Sequence, residues 1–409
     1  MQRKSLLSIL LIFFFYLQTS LLFSQVIYVD ANVPGGIQDG TSWENAFAAL
    51  QDALAAAQYG DTVWVAQGAY YPTGDDNRNV SFELPNGVAL FGGFSGVEAA
   101  LDERDWETNE TILSGGIGAP GDDSDNSFTV VYIEYADSST VLDGFVITSG
   151  NANSQAPLEP AGSRTKNGGG MYIEGSSQAM DTRPVIRNCT FRLNNARFRG
   201  GAVYINGVAG GSTSPLMKNC RFEENTAILG GALYKDGGSY DQGMLVTDCT
   251  FLANLANQGG AVNYLNSHGE HDFVFRDCLF QDNYALTGGG AIHQDVNHPQ
   301  GKLIFTGCDF VFNATEGDGG AIEHYNFTGS DALVIDSCKF TMNFAFAAGT
   351  IMSIGEGLIE MNNSIFENNL VHDEGGCLNI NESSLKAANC IFFNSEAVEE
   401  GSVLNQSPP

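Results

Sequence analysis

The chain has 409 residues, and 48 Asp and Glu against 18 Lys and Arg leave a formal charge of −30 at pH 7. That charge disfavours binding to nucleic-acid backbones through counterion release, and to anionic membranes, and it suits an acidic, soluble, calcium-tolerant extracellular surface. With 49 glycines and plentiful Asn, Ser and Thr, the composition predicts many short strands joined by tight turns, while the length is compatible with one large domain or two to three ordinary ones.

Residues 1–24 open with Arg3 and Lys4, run through LLSILLIFFFYLQTSLLF and end in small or polar residues before QVIYVD. This is the pattern of a cleaved secretory signal, the other reading being an uncleaved anchor. The cleavage point lacks a cysteine, which disfavours a lipoprotein, and no later segment is long and apolar enough to span a bilayer. Residues 25–141 read as an N-terminal cap and first irregular coils. Within them, Ser42–Pro72 combines an Asn or Ser helix start, an alanine-rich amphipathic stretch and a Gly-Asp turn into the alternating strand TVWVAQGAY. A short helix there would shield the edge of the first coil from pairing with another chain. VALFGGFSG (Val88–Gly96) and TILSGGI read as irregular coils, with DDSDNS from Asp122 and NSQAPLEPAGSRTKNGG from Asn153 as projecting loops.

From residue 142 to 409 one unit recurs. NCTFRLNNARFRGGAVY at Asn188 returns as NCRFEENTAILGGALY at Asn219, DCTFLANLANQGGAVNY at Asp248 and DCLFQDNYALTGGGAI at Asp277. Further copies follow to Asn389, with spacings between Cys189, Cys220, Cys249, Cys278, Cys308, Cys338, Ser364 and Cys390 of 26 to 31 residues. An earlier copy in LDGFVITSGNA sets Phe145 on Cys189, Ile147 on Phe191 and Asn151 on Asn195. A fixed period of this size marks a solenoid. Helical repeats are excluded by the glycine pairs and by short alternating runs with no 3.6-residue period. In C-x-F the two apolar side chains share one strand face, so they line the inside. The predicted fold is all-β, a parallel β-helix with a single-chain solenoid path and a short N-terminal capping helix, ending without a C-terminal cap.

Stacking such coils turns each position into a ladder. Phe191, Phe222, Phe251, Phe280, Phe310, Phe340, Phe366 and Phe392 become an interior aromatic stack, and Val203, Leu233, Val262, Ile292, Ile322, Ile351 and Leu378 a second column. Asn194, Asn225, Asn254, Asn283, Asn313, Asn343 and Asn369 sit at a corner where their amides can satisfy turn backbone in the next coil. The glycine pairs allow a second corner at positive φ. Six of the eight cysteines fall on consecutive coils of one inward ladder, where a coil spacing of ~4.8 Å exceeds the Cβ separation of a disulfide. They are expected as free, buried thiols, and no CxxC or Cys/His pair supports a metal.

F-x-x-N followed by G-G-A-[ILV], as in FRLN with GGAV and FVFN with GGAI, resembles the repeat of the polymorphic outer membrane proteins of chlamydiae and their relatives among secreted bacterial proteins. The likeness covers about Leu142 to Leu404. It implies a right-handed parallel β-helix passenger at the cell surface, outer-membrane associated and usually linked to adhesion. The opening IYVDANVPGGIQDGTSWENAFAALQDAL with GDTVWVAQGAYYP is similar to the N-terminal cap of pectate-lyase-like β-helix proteins. The autotransporter barrel of the chlamydial family and a type IX sorting domain are not recognisable.

Candidate chemistry lies on one outward ladder expected to be exposed: Tyr204, Tyr234, Asn263, His293, Glu323, Met352 and Asn379. His293 and Glu323 would be stacked neighbours with Asp295 and His324 close by, an acid/base or metal cluster or simply a solvated polar face. His268, His271, His298 and His372 lie in loop-like segments. Asp122, Asp123 and Asp125, like Asp75 with Asp76, are calcium candidates or ordinary acidic turns, calcium being the only cofactor considered. Arg183, Arg187, Arg192, Arg197 and Arg199 could bind sulfated or uronic glycans, or could neutralise Asp181, Glu223 and Glu224. The leading expectation is a secreted or surface-displayed adhesion or structural module with a glycan or cell-surface protein partner. The other is a polysaccharide lyase or glycoside hydrolase acting on an acidic polysaccharide.

Overall fold

A computed structural model describes residues 24–33, 35–175, 181–207, 211–237, 243–266, 271–296, 301–326, 332–398 and 403–407. The expected signal segment lies almost entirely outside them, as do His268 and His298. Among the described residues the strands form a solenoid of three long sheets: sheet 1 with 12 strands, from β1 (Val26–Val29) to Ser384–Ala388; sheet 2 with 11, from Gly68–Tyr70 to Ile391–Phe393; and sheet 3 with 11, from Phe82–Leu84 to Leu404–Ser407. A shorter sheet 4 of six strands, Leu255–Gln258 to Glu396–Ala397, runs beside them. Neighbouring strands are parallel and in register, so that Thr190–Arg192 lies on Arg221–Glu223 and Phe191 on Ile147, as the aligned sequences require.

Each coil turns at corners that the sequence marks. The residue before each ladder Cys takes positive φ (Asn188 52°, Asn219 50°, Asp248 56°, Asp277 52°), as does the first glycine of each pair (Gly200 58°, Gly289 63°). Asn and Asp tolerate this region because their short side chains bond locally. A third corner, at Leu193, Glu224, Ala253, Asp282, Phe312 and Met342, is left-handed without glycine. Each such residue costs about 1–2 kcal/mol, and the buried asparagine that follows offsets it. Asn225 Oδ1 accepts from the Asn194 backbone N–H and side-chain amide, both at 3.1 Å, while its own amide donates to Phe191 O at 2.9 Å. The pattern repeats through Asn254, Asn283, Asn313, Asn343 and Asn369.

Inside, the phenylalanines stack face to face at 4.5–5.1 Å from Phe191 to Phe392. A column on sheet 3 runs Ile133, Ile173, Ile205 and then turns polar at Lys235, Tyr264, Gln294, His324 and Ser353, all buried. Sequence reasoning missed this column. Lys235 Nζ donates to Thr213 O at 3.1 Å, and His324 Nδ1 lies 3.2 Å from Ser353 Oγ. Burial, with the nearby charge of His293, pulls the His324 imidazole down to about 4.

The N-terminal end departs from expectation in detail. The helix α1 spans Leu50–Ala56, not Ser42 onward, and Ser42 instead closes a turn with Asn45. Trp43 packs on Tyr28 at 4.8 Å, and Phe47 hydrogen-bonds along β1, through Tyr28 O and the Asp30 N–H. These aromatics cover the sheet edge themselves, leaving α1 to plug the solenoid with Leu50, Ala53 and Leu54. Val88–Gly96 and the TILSGGI stretch supply strands of the long sheets, Ala89–Phe94 of sheet 1, which shifts register against Trp64 and Ala66, and Thr111–Ser114 of sheet 2.

All eight cysteines are free, and only Cys390 is not fully buried. Burial raises the Cys189 and Cys249 thiols well above their ordinary value. A thiol reagent should therefore label no more than Cys390 in the native protein and all eight after denaturation, and reductant should leave the unfolding midpoint unchanged. A midpoint that drops with reductant would reveal a disulfide.

Candidate functional site

The outward side of sheet 3 carries two aligned rows. The first is Tyr132, Tyr172, Tyr204, Tyr234, Asn263, His293, Glu323, Met352 and Asn379. The second, two residues on, begins Glu134, Glu174, Asn206, Asp236 and includes Asp295 and Tyr325. Strand alternation puts both rows away from the lumen. Whether solvent reaches them depends on what crosses above.

Over the first coils a cleft stays open. Tyr132, half-buried, lies between two adjoining spaces of about 670 and 460 Å³; the first reaches Gln51 and Glu134, the second Tyr172, Glu174, Arg199, Tyr204 and Asn206. The tyrosine rings follow one another at 6.0, 5.0 and 5.6 Å from Tyr132 to Tyr234, but Tyr172, Tyr204 and Tyr234 are buried in this stack and of the four Tyr132 alone presents ring surface to the cleft. The Arg164 guanidinium sits 4.9 Å over Tyr132, and Arg199 lies 5.1 Å from the Tyr234 ring. Asn206 donates to both Tyr172 Oη and Glu174 Oε1 at 2.9 Å, and burial raises the Glu174 carboxyl above its usual range. The loop from Asn153 closes one wall, where Tyr172 Oη donates to Gly162 O at 2.7 Å. Tyr132 and Tyr172 were missed in the sequence, although GGGMYIEG before residue 176 matches GGAVYING at 200–207 and carried the signal.

Further along, His293 and Glu323 are register partners with Nδ1 2.6 Å from Oε2, and Asp295 Oδ2 lies 3.3 Å from Nε2. The expected exposure of this ladder is corrected: Tyr204, Tyr234, Asn263, His293, Glu323, Met352 and Asn379 are all buried, His293 at 1 % and Glu323 at 3 % exposure. The glycine corner packs on it so closely that a Cβ at Gly288 would overlap the Glu323 carboxylate. Burial alone would lower the His293 pKa, but hydrogen bonds and charge from Asp295 and Glu323 outweigh it and raise it to about 9. His324 does not join this group, because it is adjacent in sequence and so points into the lumen. The pair is a buried imidazolium–carboxylate contact with proton-transfer geometry but no open approach.

Residues 124–326 match the family model described as right handed beta helix region. The chain is a right-handed parallel β-helix. Comparison with curated proteins returned no match. Among solved structures the β-helix is similar to the surface protein and adhesin PfbA of Streptococcus pneumoniae, at 12 % identity and a TM-score of 0.40, over 92 % of this chain and 99 % of that one.

The winding of the β-helix separates the five arginines. Arg183 meets Asp181 at 3.5 Å, Arg187 on sheet 1 binds the buried Asp143 at 2.6 Å, and Arg192 on sheet 2 faces Glu110 at 3.5 Å. Arg197 bonds Ser154 O and Gln155, while Arg199 lies 3.9 Å from Asp236 and alone of the five lines the tyrosine cleft. Glu223, the expected partner of this group, pairs with Arg221. Asp122, Asp123 and Asp125 shape a short 3-10 turn in which Asp122 accepts from Ser124 N and Asp125 from Ala119 N. Asp75 accepts from Thr73 and Asn77 in the same manner. Among the described residues no three His, Cys, Asp or Glu side chains group as a metal site, and no helix is long and apolar enough to cross a membrane.

Proposed function

We propose that this β-helix is a secreted or surface-displayed adhesion or structural module that binds a glycan chain along the tyrosine cleft of sheet 3. The observation that carries the reading is the half-buried Tyr132 in an open cleft, backed by the buried stack of Tyr172, Tyr204 and Tyr234, with Glu134, Glu174 and Asn206 beside it. The Tyr132 ring offers apolar area to a sugar ring, and the flanking carboxylates and amide take hydroxyl hydrogen bonds. Arg164 and Arg199 extend the range to glycans bearing sulfate or uronate groups. Export by the N-terminal segment, and calcium held by the Asp122–Asp125 turn, remain parts of the proposal with their own tests: N-terminal sequencing of the secreted protein, and its melting temperature with and without a calcium chelator.

A glycan array followed by calorimetry on the best ligand tests the cleft. Tyr132→Ala is expected to weaken binding at least about tenfold, the loss typical of an aromatic anchor. Unchanged affinity would sink the assignment. A second reading, cleavage of a uronic-acid polymer, has the short His293–Glu323 contact in its favour and the burial of that pair against it. New unsaturated or reducing ends, with or without calcium, that disappear in Glu323→Ala or His293→Ala would establish it.

A further inference from the structure

The outer side of sheet 4 is an apolar strip. Leu255, Tyr284, Ala314, Phe344 and Leu370 form one row, with Leu286, Glu316, Phe346 and His372 two residues further on. Leu255, Leu286, Phe346 and Leu370, with Phe312 and Met342 at the adjoining corner, are each 41–49 % exposed. Contiguous exposure of this kind is uncommon on a protein that stays alone.

The strip runs into an acidic pocket. Phe346 stacks on His372 at 4.6 Å, and His372 Nδ1 contacts Asp373 Oδ1 at 2.6 Å. Asp373 then lines a pocket of about 410 Å³ with Asp318, Glu374, Met352 and Asn379. Asn379 is 6 % exposed and its side-chain amide makes no hydrogen bond among the described residues, so a polar group is held there without a partner. Burial and the charges of Glu323, Asp373 and Glu374 raise the Asp318 carboxyl to about 6, which marks the pocket as short of positive charge. Asp318, Asp373 and Glu374 line this pocket together, an arrangement that suits a basic side chain, which brings several donors of its own.

We propose that the strip and pocket together dock an extended polypeptide with apolar side chains on sheet 4 and an Arg or Lys in the Asp318–Asp373–Glu374 pocket. A second copy of this chain is a poor occupant, because two molecules of charge −30 repel and offer few basic residues. A glycan is a poor one because four of the six exposed apolar side chains, Leu255, Leu286, Met342 and Leu370, are aliphatic and offer sugar rings no flat face. The assignment is independent of the tyrosine cleft, which lies on a different sheet.

Fluorescence anisotropy with a labelled twelve-residue peptide of alternating Phe and Arg tests it, beside versions with Ser for Phe and Glu for Arg. Only the first is expected to bind saturably. Phe346→Ser, and separately Asp318→Asn with Asp373→Asn and Glu374→Gln, should each weaken it at least about tenfold. Tyr132→Ala, and neutralisation of the distant Asp102, Glu103 and Glu107, should leave affinity within about twofold, as expected for sites that share no contact. Thermal midpoints verify that each variant is folded. An equal loss on neutralising the distant carboxylates, an unchanged affinity in Phe346→Ser, or a self-associating protein that Phe346→Ser converts to monomer would each overturn the proposal.

Discussion

Phe280→Ala is expected to destabilise the protein by about 3–5 kcal/mol, the cost of deleting a fully buried aromatic side chain and leaving its cavity. The ring lies between Phe251 at 4.8 Å and Phe310 at 4.7 Å, with Phe275 edge-on at 5.5 Å. Neighbouring coils are held by their own hydrogen-bond ladders and cannot collapse into the gap. Because solenoid stability is close to a sum of coil and interface terms, one void weakens two interfaces. The half-buried Phe392, stacked on one side at 5.0 Å, should cost much less. Urea unfolding followed by circular dichroism measures both. A loss below about 1 kcal/mol for Phe280→Ala, well under the usual range for such deletions, would show that the aromatic column does not hold the coils together.

Glu323→Ala is expected to cost about 3–5 kcal/mol near pH 6, because it strips a buried imidazolium of its buried counter-charge and leaves the more exposed Asp295 beside it. The same contact sets an alkaline limit. His293 is raised to about 9 in the fold, against ~6.5 in the unfolded chain, so the native state holds the extra proton. Its contribution, roughly 3 kcal/mol, is complete below pH 6.5 and is lost as pH rises through 9. His324 works in the opposite sense. Held near 4 by burial, it leaves the native state with fewer protons, so its contribution is present above pH 6.5 and is lost as pH falls toward 4. Unfolding midpoints at pH 6, 7.5 and 9.5 should decline for the wild type and much less for Glu323→Gln. A flat wild-type profile over that interval would mean that His293 is not held as a cation.

What the linear chain determined is the winding and its inner surface. A two-residue alternation around each Cys and Phe states which side chains face inward, and a recurring period places them above one another; Phe191 over Phe222 and Asn194 beside Asn225 follow from those two facts. The positive-φ corner before each cysteine was equally legible, since Asn, Asp, Gly or Ser always stands there. Alternation also places His293 beside Glu323, but it says only that they point away from the lumen. Tertiary structure decided the rest. The Asn153 loop leaves Tyr132 in an open cleft, while the corner at Gly288 closes over Glu323. Arginines close in sequence from Arg183 to Arg199 part company because each corner redirects the chain to another sheet. Solvent access and long-range neighbours depend on backbone that crosses from distant positions, and a local pattern carries no record of that path.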